Sequence, residues 1–320
     1  MWARIQKGVI MRDNITMKQP DIDDKSSEAC ILDVIEQFVC EKRKLLQDRG
    51  DLERQIKDRL KTHGRSWKPL YELFEPLGLL PIDAKCNDEK RDVLYALSKT
   101  AIGRIELYLP VMKLLVEAIK KKSVDSVEFA KSDYRESDYW NQLRNFFENM
   151  KKAHIVSVCV KDNGETVSIC PKADRLQFFD GGWAENGMVY LIEKTIKSFS
   201  KANRLASSIF WNVKLSNGAP WDSIKYEFDA IAKVGAMFYV FEVKTGAILP
   251  VDKWFERWSL FRNVGVRYIQ CTAKEIDYRL FMPLQLFPIA NFEQLLQERL
   301  KKDLVKSKDD KDTCGDIHGT

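Results

Sequence analysis

Four side chains in the C-terminal half are of the types that metal-assisted phosphodiester hydrolysis needs: Glu185, Asp229, Glu242 and Lys244. Two or three carboxylates suffice to hold Mg²⁺ or Mn²⁺, hard cations that keep several waters, against a phosphate. The ion polarises the phosphate and lowers the pKa of an attacking water, and an adjacent ammonium orients that water or steadies the developing charge. Side chains two apart on a strand share a face, so Glu227 pairs with Asp229, and Phe238 and Val240 with Glu242 and Lys244. Residues 230–241 between Asp229 and Glu242 are about what two antiparallel strands and a short turn occupy. Glu-x-Lys alone is common on surface strands. Asp229 is the stronger signal, because Phe228, Ala230 and Ile231 imply burial, and an unpaired buried carboxylate is costly.

The elements that must position these groups follow from apolar periodicity. Gly182-Trp183-Ala184-Glu185 opens a helix made amphipathic by Val189, Ile192, Ile196 and Phe199. Three β-rich runs follow: Ile209 to Leu215, Ile224 to Val234 and Ala236 to Lys244, the last two joined as a hairpin at Gly235. A helix over Asp252 to Arg262 and a strand over Val266 to Thr272 complete the order α-β-β-β-α-β.

That order, with Gly181-Gly182-Trp183-Ala184-Glu185, Tyr226-Glu227-Phe228-Asp229 and Phe241-Glu242-Val243-Lys244-Thr245-Gly246, resembles the PD-(D/E)xK (restriction-endonuclease-like) nuclease superfamily. The wording is similar to nuclease domains of CRISPR-associated, cyclic-oligonucleotide-activated nucleases, over about residues 138 to 290. Phe228 stands where the superfamily usually has proline. The resemblance implies an αβββαβ core and an Mg²⁺- or Mn²⁺-dependent endonuclease of DNA or RNA, acting in defence against foreign nucleic acid or in repair. It implies Asp229, Glu242 and Glu185 as metal ligands, with the Val243 backbone carbonyl, and Lys244 as the group that orients water. It also implies a homodimer.

Upstream, Ile31, Leu32, Ile35, Phe38 and Val39 begin a helical stripe that Leu45, Leu52, Ile56 and Leu60 continue, and Val93 to Ile119 holds further helices with Pro110 at a boundary or kink. Residues 29–122 therefore read as an all-α domain, without the glycine-rich loop of a nucleotide-binding module. Whatever protein or ligand activates the chain would act through this half. After a polar linker, Ser123 to Ser137, comes a helix over Tyr139 to Lys152. Two strands around Asp162-Asn163-Gly164 then make a winged-helix-like bridge over 138–172. The nuclease domain is then 173–300.

Other residues carry weaker signals. Lys253 and Arg257 could meet a phosphate backbone, and Gln270 a metal-bound water. Trp254 and Trp258, four apart, read as core. His63, His154 and His318 show no ligand spacing, which argues against histidine acid–base chemistry. The 320 residues carry a net charge of +5, too mild to indicate nucleic acid by itself. From Glu41 to Lys68 ten Lys or Arg face five Asp or Glu, the pattern of a solvated helix face or of a phosphate-contacting surface. Seven scattered cysteines suit reduced thiols in a cytoplasm, and no apolar run approaches the roughly 18 residues of a membrane span. Two rival readings stay open: a nucleic-acid-binding module without turnover, and a protein-interaction adaptor.

Overall fold

Alternating apolar residues in 226–244 fold back on themselves to make the central hairpin. In a computed structural model of the chain, the described residues are 49–62, 64–86, 93–121, 126–134, 136–217, 223–245, 251–261, 266–273 and 285–314. The chain divides into two compact units, Met1–Arg54 and Gln55–Thr320. In the first, residues 49–54 are helical, with Arg49 paired to Glu53 and Arg54 to Asp51. These are the i,i+4 and i,i+3 pairs of a solvated helix face. The stripe expected over residues 31–45 lies outside the described residues.

The second unit is mixed α/β. Its six-stranded sheet runs β1 (Leu80–Cys86), β5 (Ser207–Ser216), β6 (Tyr226–Val234), β7 (Met237–Lys244), β8 (Val266–Thr272), β9 (Gln285–Pro288). Strands β1, β5, β6 and β7 pair with one another antiparallel, and β8 and β9 add in parallel. The hairpin closes with Val234 opposite Met237 and Gly235 at φ +60°.

Strand β1 corrects the expectation of an all-helical segment over 29–122. Leu79-Leu80-Pro81-Ile82 is a short apolar run, and proline confines it to an edge, where it pairs with β5. Helices α1 (Lys68–Phe74), α2 (Val93–Ile102) and α3 (Ile105–Lys121) surround it in sequence, and α3 continues through Pro110 in its first turns. Residues 126–130, expected as linker, supply β2 (Val127–Ala130) to a second sheet of order β2-β4-β3. There α4 (Ser137–Lys152) precedes β3 (Val156–Lys161) and β4 (Thr166–Pro171). The β3–β4 turn is longer than the two-residue Asn-Gly loop: Lys161 pairs with Thr166, and Trp140 Nε1 donates to the Gly164 carbonyl at 3.2 Å.

One core runs from α2, α3 and α4 through α5 (Trp183–Asn203) to the inner face of the sheet, at Ile209, Ala230, Ala232, Phe241 and Ile269, and to α7 (Phe292–Cys314). On the other face Phe74 of α1 and Phe261 of α6 (Val251–Phe261) close over Phe228, and Phe261 also stacks on Tyr268. The helices therefore cover both faces of the sheet. Helix α5 is held at a fixed depth by Gly187, where any Cβ would lie 2.7 Å from Ile102 Cβ and 2.8 Å from the Ser98 carbonyl of α2. No described helix is long and apolar enough to cross a membrane.

Candidate active site

The residues singled out in the sequence gather at the C-terminal end of β7. In the β6–β7 register the pairs end at Ala230 with Phe241, and one step further Asp229 stands level with Glu242. There a side chain replaces a backbone partner: Asp229 Oδ2 accepts the Val243 N–H at 2.6 Å. Lys244 Nζ lies 2.8 Å from Glu242 Oε1, as two residues of one strand face must. Glu185 projects from the first turn of α5, which a five-residue turn, Phe178–Gly182, leads into. Gly181 in that turn has φ +122°, a region that residues with a Cβ rarely adopt.

Electrostatics tie these groups together. Burial, then the charges of Glu242 and Glu185, push the Asp229 carboxyl up to about 7, against Lys244 and the Val243 N–H, which favour ionisation. The Glu185 carboxyl is also raised, first by burial and then by Glu242 and Glu227 against Lys244. Burial alone would lower the Lys244 ammonium; Glu242, Asp229 and Glu185 more than offset it and hold the group above its usual range. Three carboxylates, the Lys244 ammonium and the Arg257 guanidinium thus interact as one set.

The donors suit a hard divalent cation in kind, since all are carboxylates in a partly desolvated place. Their arrangement is another matter. Among the described residues no three His, Cys, Asp or Glu side chains converge as ready-made ligands. Glu242 is 3% exposed and both its oxygens are taken, Oε1 by Lys244 and Oε2 by Arg257 at 2.5 Å. A cation at Glu242 would take a place that these two side chains now hold.

The remaining expected residues divide. Arg257 does not face a phosphate backbone: it turns inward to Glu242, donates to the Glu227 carbonyl at 3.2 Å and lies over the Phe228 ring. Lys253 is exposed on α6. Gln270 is fully buried beside Glu242 on β8, and neither atom of its amide has a hydrogen-bond partner. Its depth excludes contact with a nucleic-acid backbone, and its orphaned amide beside a carboxylate fits a missing polar group. Val243 engages the site through its N–H. The side chains of Trp254 and Trp258 lie outside the described residues. On the β3–β4 hairpin Lys161 is paired with Glu128 of β2, and Glu165 of the turn is paired with Lys131 just after β2.

The site opens into a cleft of about 290 Å³ whose walls include Glu185, Glu227 and Asp229, and also Lys85, Arg175 and Asn212. The last three were not picked out in the sequence. Lys85 arrives on the unforeseen strand β1, opposite Trp211. Asn212 sits between the pairs Trp211–Ala230 and Val213–Phe228, level with Asp229, and has φ +53°. Strand alternation breaks at this level: Ala230 belongs to the core beneath α5, yet Phe228, two residues away, stacks on Phe74 and Phe261 on the opposite face. A lone asparagine inside Ile209-Phe210-Trp211-Asn212-Val213 was the available signal.

The fold and site thus define a mixed α/β protein with an acidic cluster, a lysine and an arginine at the C-terminal end of an inner strand. No protein-family model matches the sequence, and no curated protein does. Among solved structures, the chain is similar to protein VC1899 from Vibrio cholerae, with 16% identity and a TM-score of 0.46 over 73% of this chain and 60% of that one. It is also similar to Can2 from Sulfobacillus thermosulfidooxidans in complex with cyclic tetra-adenylate, with 12% identity and a TM-score of 0.46 over 72% of this chain and 60% of that one. The chain thus spans 60% of the length of each. At such identities and scores, what this chain does is argued from its own residues.

Proposed function

We propose that the chain is a metal-dependent nuclease of the PD-(D/E)xK kind, hydrolysing phosphodiester bonds of DNA or RNA with Mg²⁺ or Mn²⁺, in defence against foreign nucleic acid. The observation that carries this reading is the electrostatic set at the end of β7: Asp229, Glu242 and Glu185 interact with one another and with Lys244. Asp229 and Glu242 would hold the metal, with Glu185 completing the set from α5. When bound, the metal supplies Lewis acidity toward the phosphate and a water of lowered pKa. The chain's own residues do the rest. Asp229 is fixed by the Val243 N–H, and the Lys244 ammonium, kept protonated by its carboxylate neighbours, stands where it can orient a water or meet charge growing on the phosphate. The order α5-β5-β6-β7-α6-β8 supports the restriction-endonuclease-like reading of this half. A homodimer, cutting two strands, goes with it by analogy.

A second reading has an observation of its own. With both oxygens of Glu242 held by cations, the site is also that of a nucleic-acid-binding module without turnover. Incubating labelled single- and double-stranded DNA and RNA with Mg²⁺, Mn²⁺ or EDTA separates the two. Cleavage that needs metal and is lost in Asp229→Ala supports the nuclease; binding without metal-dependent cleavage supports the module.

A further inference from the structure

We propose that Asn212 and Lys85 form a subsite that holds the nucleotide next to the scissile phosphate. Lys85 would take that nucleotide's phosphate and the Asn212 carboxamide its base or sugar. The inference rests on the nuclease reading of the adjoining carboxylates and names what positions the substrate against them.

Asn212 is a left-handed residue in the middle of an inner strand, where regular extended backbone is the rule. Outside glycine, asparagine is among the residues that tolerate this conformation, but it still costs energy compared with the extended form. What the kink achieves is visible in its surroundings. It lies level with Asp229, where the alternation of side chains changes face, and both residues line the cleft. Residues held in sparsely populated backbone regions cluster at active sites and ligand clamps. Glycine would make the same backbone at lower cost, so the carboxamide itself calls for an explanation. Among the described residues it has no hydrogen-bond partner, and it lines the cleft half-buried, with two donors and two acceptor positions to offer a ligand.

Lys85 points to the same ligand. Its counterpart on the same strand pair, Lys214, is bound to Asp83 at 3.2 Å, whereas Lys85 makes no ion pair among the described residues. It is exposed, opposite Trp211 and so one residue from Asn212 along β5, and it lines the cleft that also contains Glu185 and Asp229. A free ammonium and a free carboxamide in the cleft that also holds the carboxylates match a nucleotide, with Lys85 as the cation that takes its phosphate. The cleft volume is that of a small-ligand pocket, about 300 Å³, which suits one nucleotide at a time.

The test measures anisotropy of a fluorescein-labelled twelve-nucleotide single-stranded DNA in EDTA across a salt series, with Tm of each variant and cleavage in Mn²⁺ alongside. Asn212→Gly keeps the left-handed backbone and removes the carboxamide. We expect its affinity to fall about five- to tenfold with an unchanged salt slope and a Tm equal to or above wild type. Lys85→Ala should flatten the slope of log affinity against log salt by about 0.7, one phosphate contact on a single strand. Wild-type affinity in Asn212→Gly, an unchanged slope in Lys85→Ala, or no binding by the wild type would overturn the subsite. If the wild type cleaves and both variants cleave as well as it does, the subsite falls and the nuclease stands. If both variants bind more weakly and the wild type cleaves nothing, the subsite stands and the nuclease falls.

Discussion

Asp229 Oδ2 accepts the backbone N–H of Val243 at 2.6 Å, across the open end of the β6–β7 hairpin. This bond fixes the aspartate against the strand that carries Glu242 and Lys244. It therefore makes the spacing of three polar residues a property of backbone geometry rather than of flexible side chains.

Arg257 holds the place of a positive charge at Glu242. Arg257→Ala leaves a carboxylate that is 3% exposed with Lys244 as its remaining charge partner, and should cost about 2–4 kcal/mol, somewhat below the range for a fully buried pair because Arg257 is partly exposed. Thermal melts should show a larger loss in EDTA than in Mn²⁺, since a divalent cation can replace the guanidinium. An equal loss in both would argue that no cation reaches Glu242.

The crossing of α2 and α5 at Gly187 leaves no room for a methyl group, because Ile102 Cβ and the Ser98 carbonyl both stand under 3 Å from where it would be. Gly187→Ala should destabilise the protein by about 1–3 kcal/mol and, through α5, displace Glu185. Denaturant melts read the first effect. A variant as stable as wild type would show that the two helices separate freely.

Asp303 of α7 is buried, bonded by Arg267 at 2.8 Å and Arg299 at 3.0 Å, and accepts the Tyr239 hydroxyl at 3.1 Å. Burial would raise its carboxyl, but hydrogen bonds from Arg267 and Arg299 outweigh that and hold it below the usual carboxylate range. A depressed folded-state pKa contributes stability that is present above the unfolded value, about 3.9, and is lost as pH falls through the folded value. Asp303→Asn should lower stability at pH 7 and flatten its decline between about pH 4 and pH 2, as followed by urea midpoints. An acid limb identical to wild type would exclude this contribution.

Much of the central hairpin was legible because two β-rich runs flank Gly235, whose positive φ makes the turn, although β7 is buried on both faces from Tyr239 to Val243. The amphipathic helix bearing Glu185 was legible from its apolar residues at the helical period. Strand β1 was hidden because Leu80 to Cys86 is short, has proline as its second residue, and is an edge strand whose partner lies more than 120 residues away. No local pattern encodes such a pairing. The inward turn of Arg257 was hidden too, since a helix-borne arginine reads the same from sequence whether it meets solvent or a carboxylate. Asn212 was the subtlest: its backbone angle, not its neighbours, makes it part of the cleft.

Metal binding tests the account most directly, because it needs neither the right substrate nor any activating partner. Titrating Mn²⁺ calorimetrically into the wild type, Asp229→Ala and Lys244→Ala should reveal binding in the wild type that is lost in Asp229→Ala and kept in Lys244→Ala. Binding of the same affinity in wild type and Asp229→Ala, or none in the wild type, would contradict a metal site at Asp229 and Glu242.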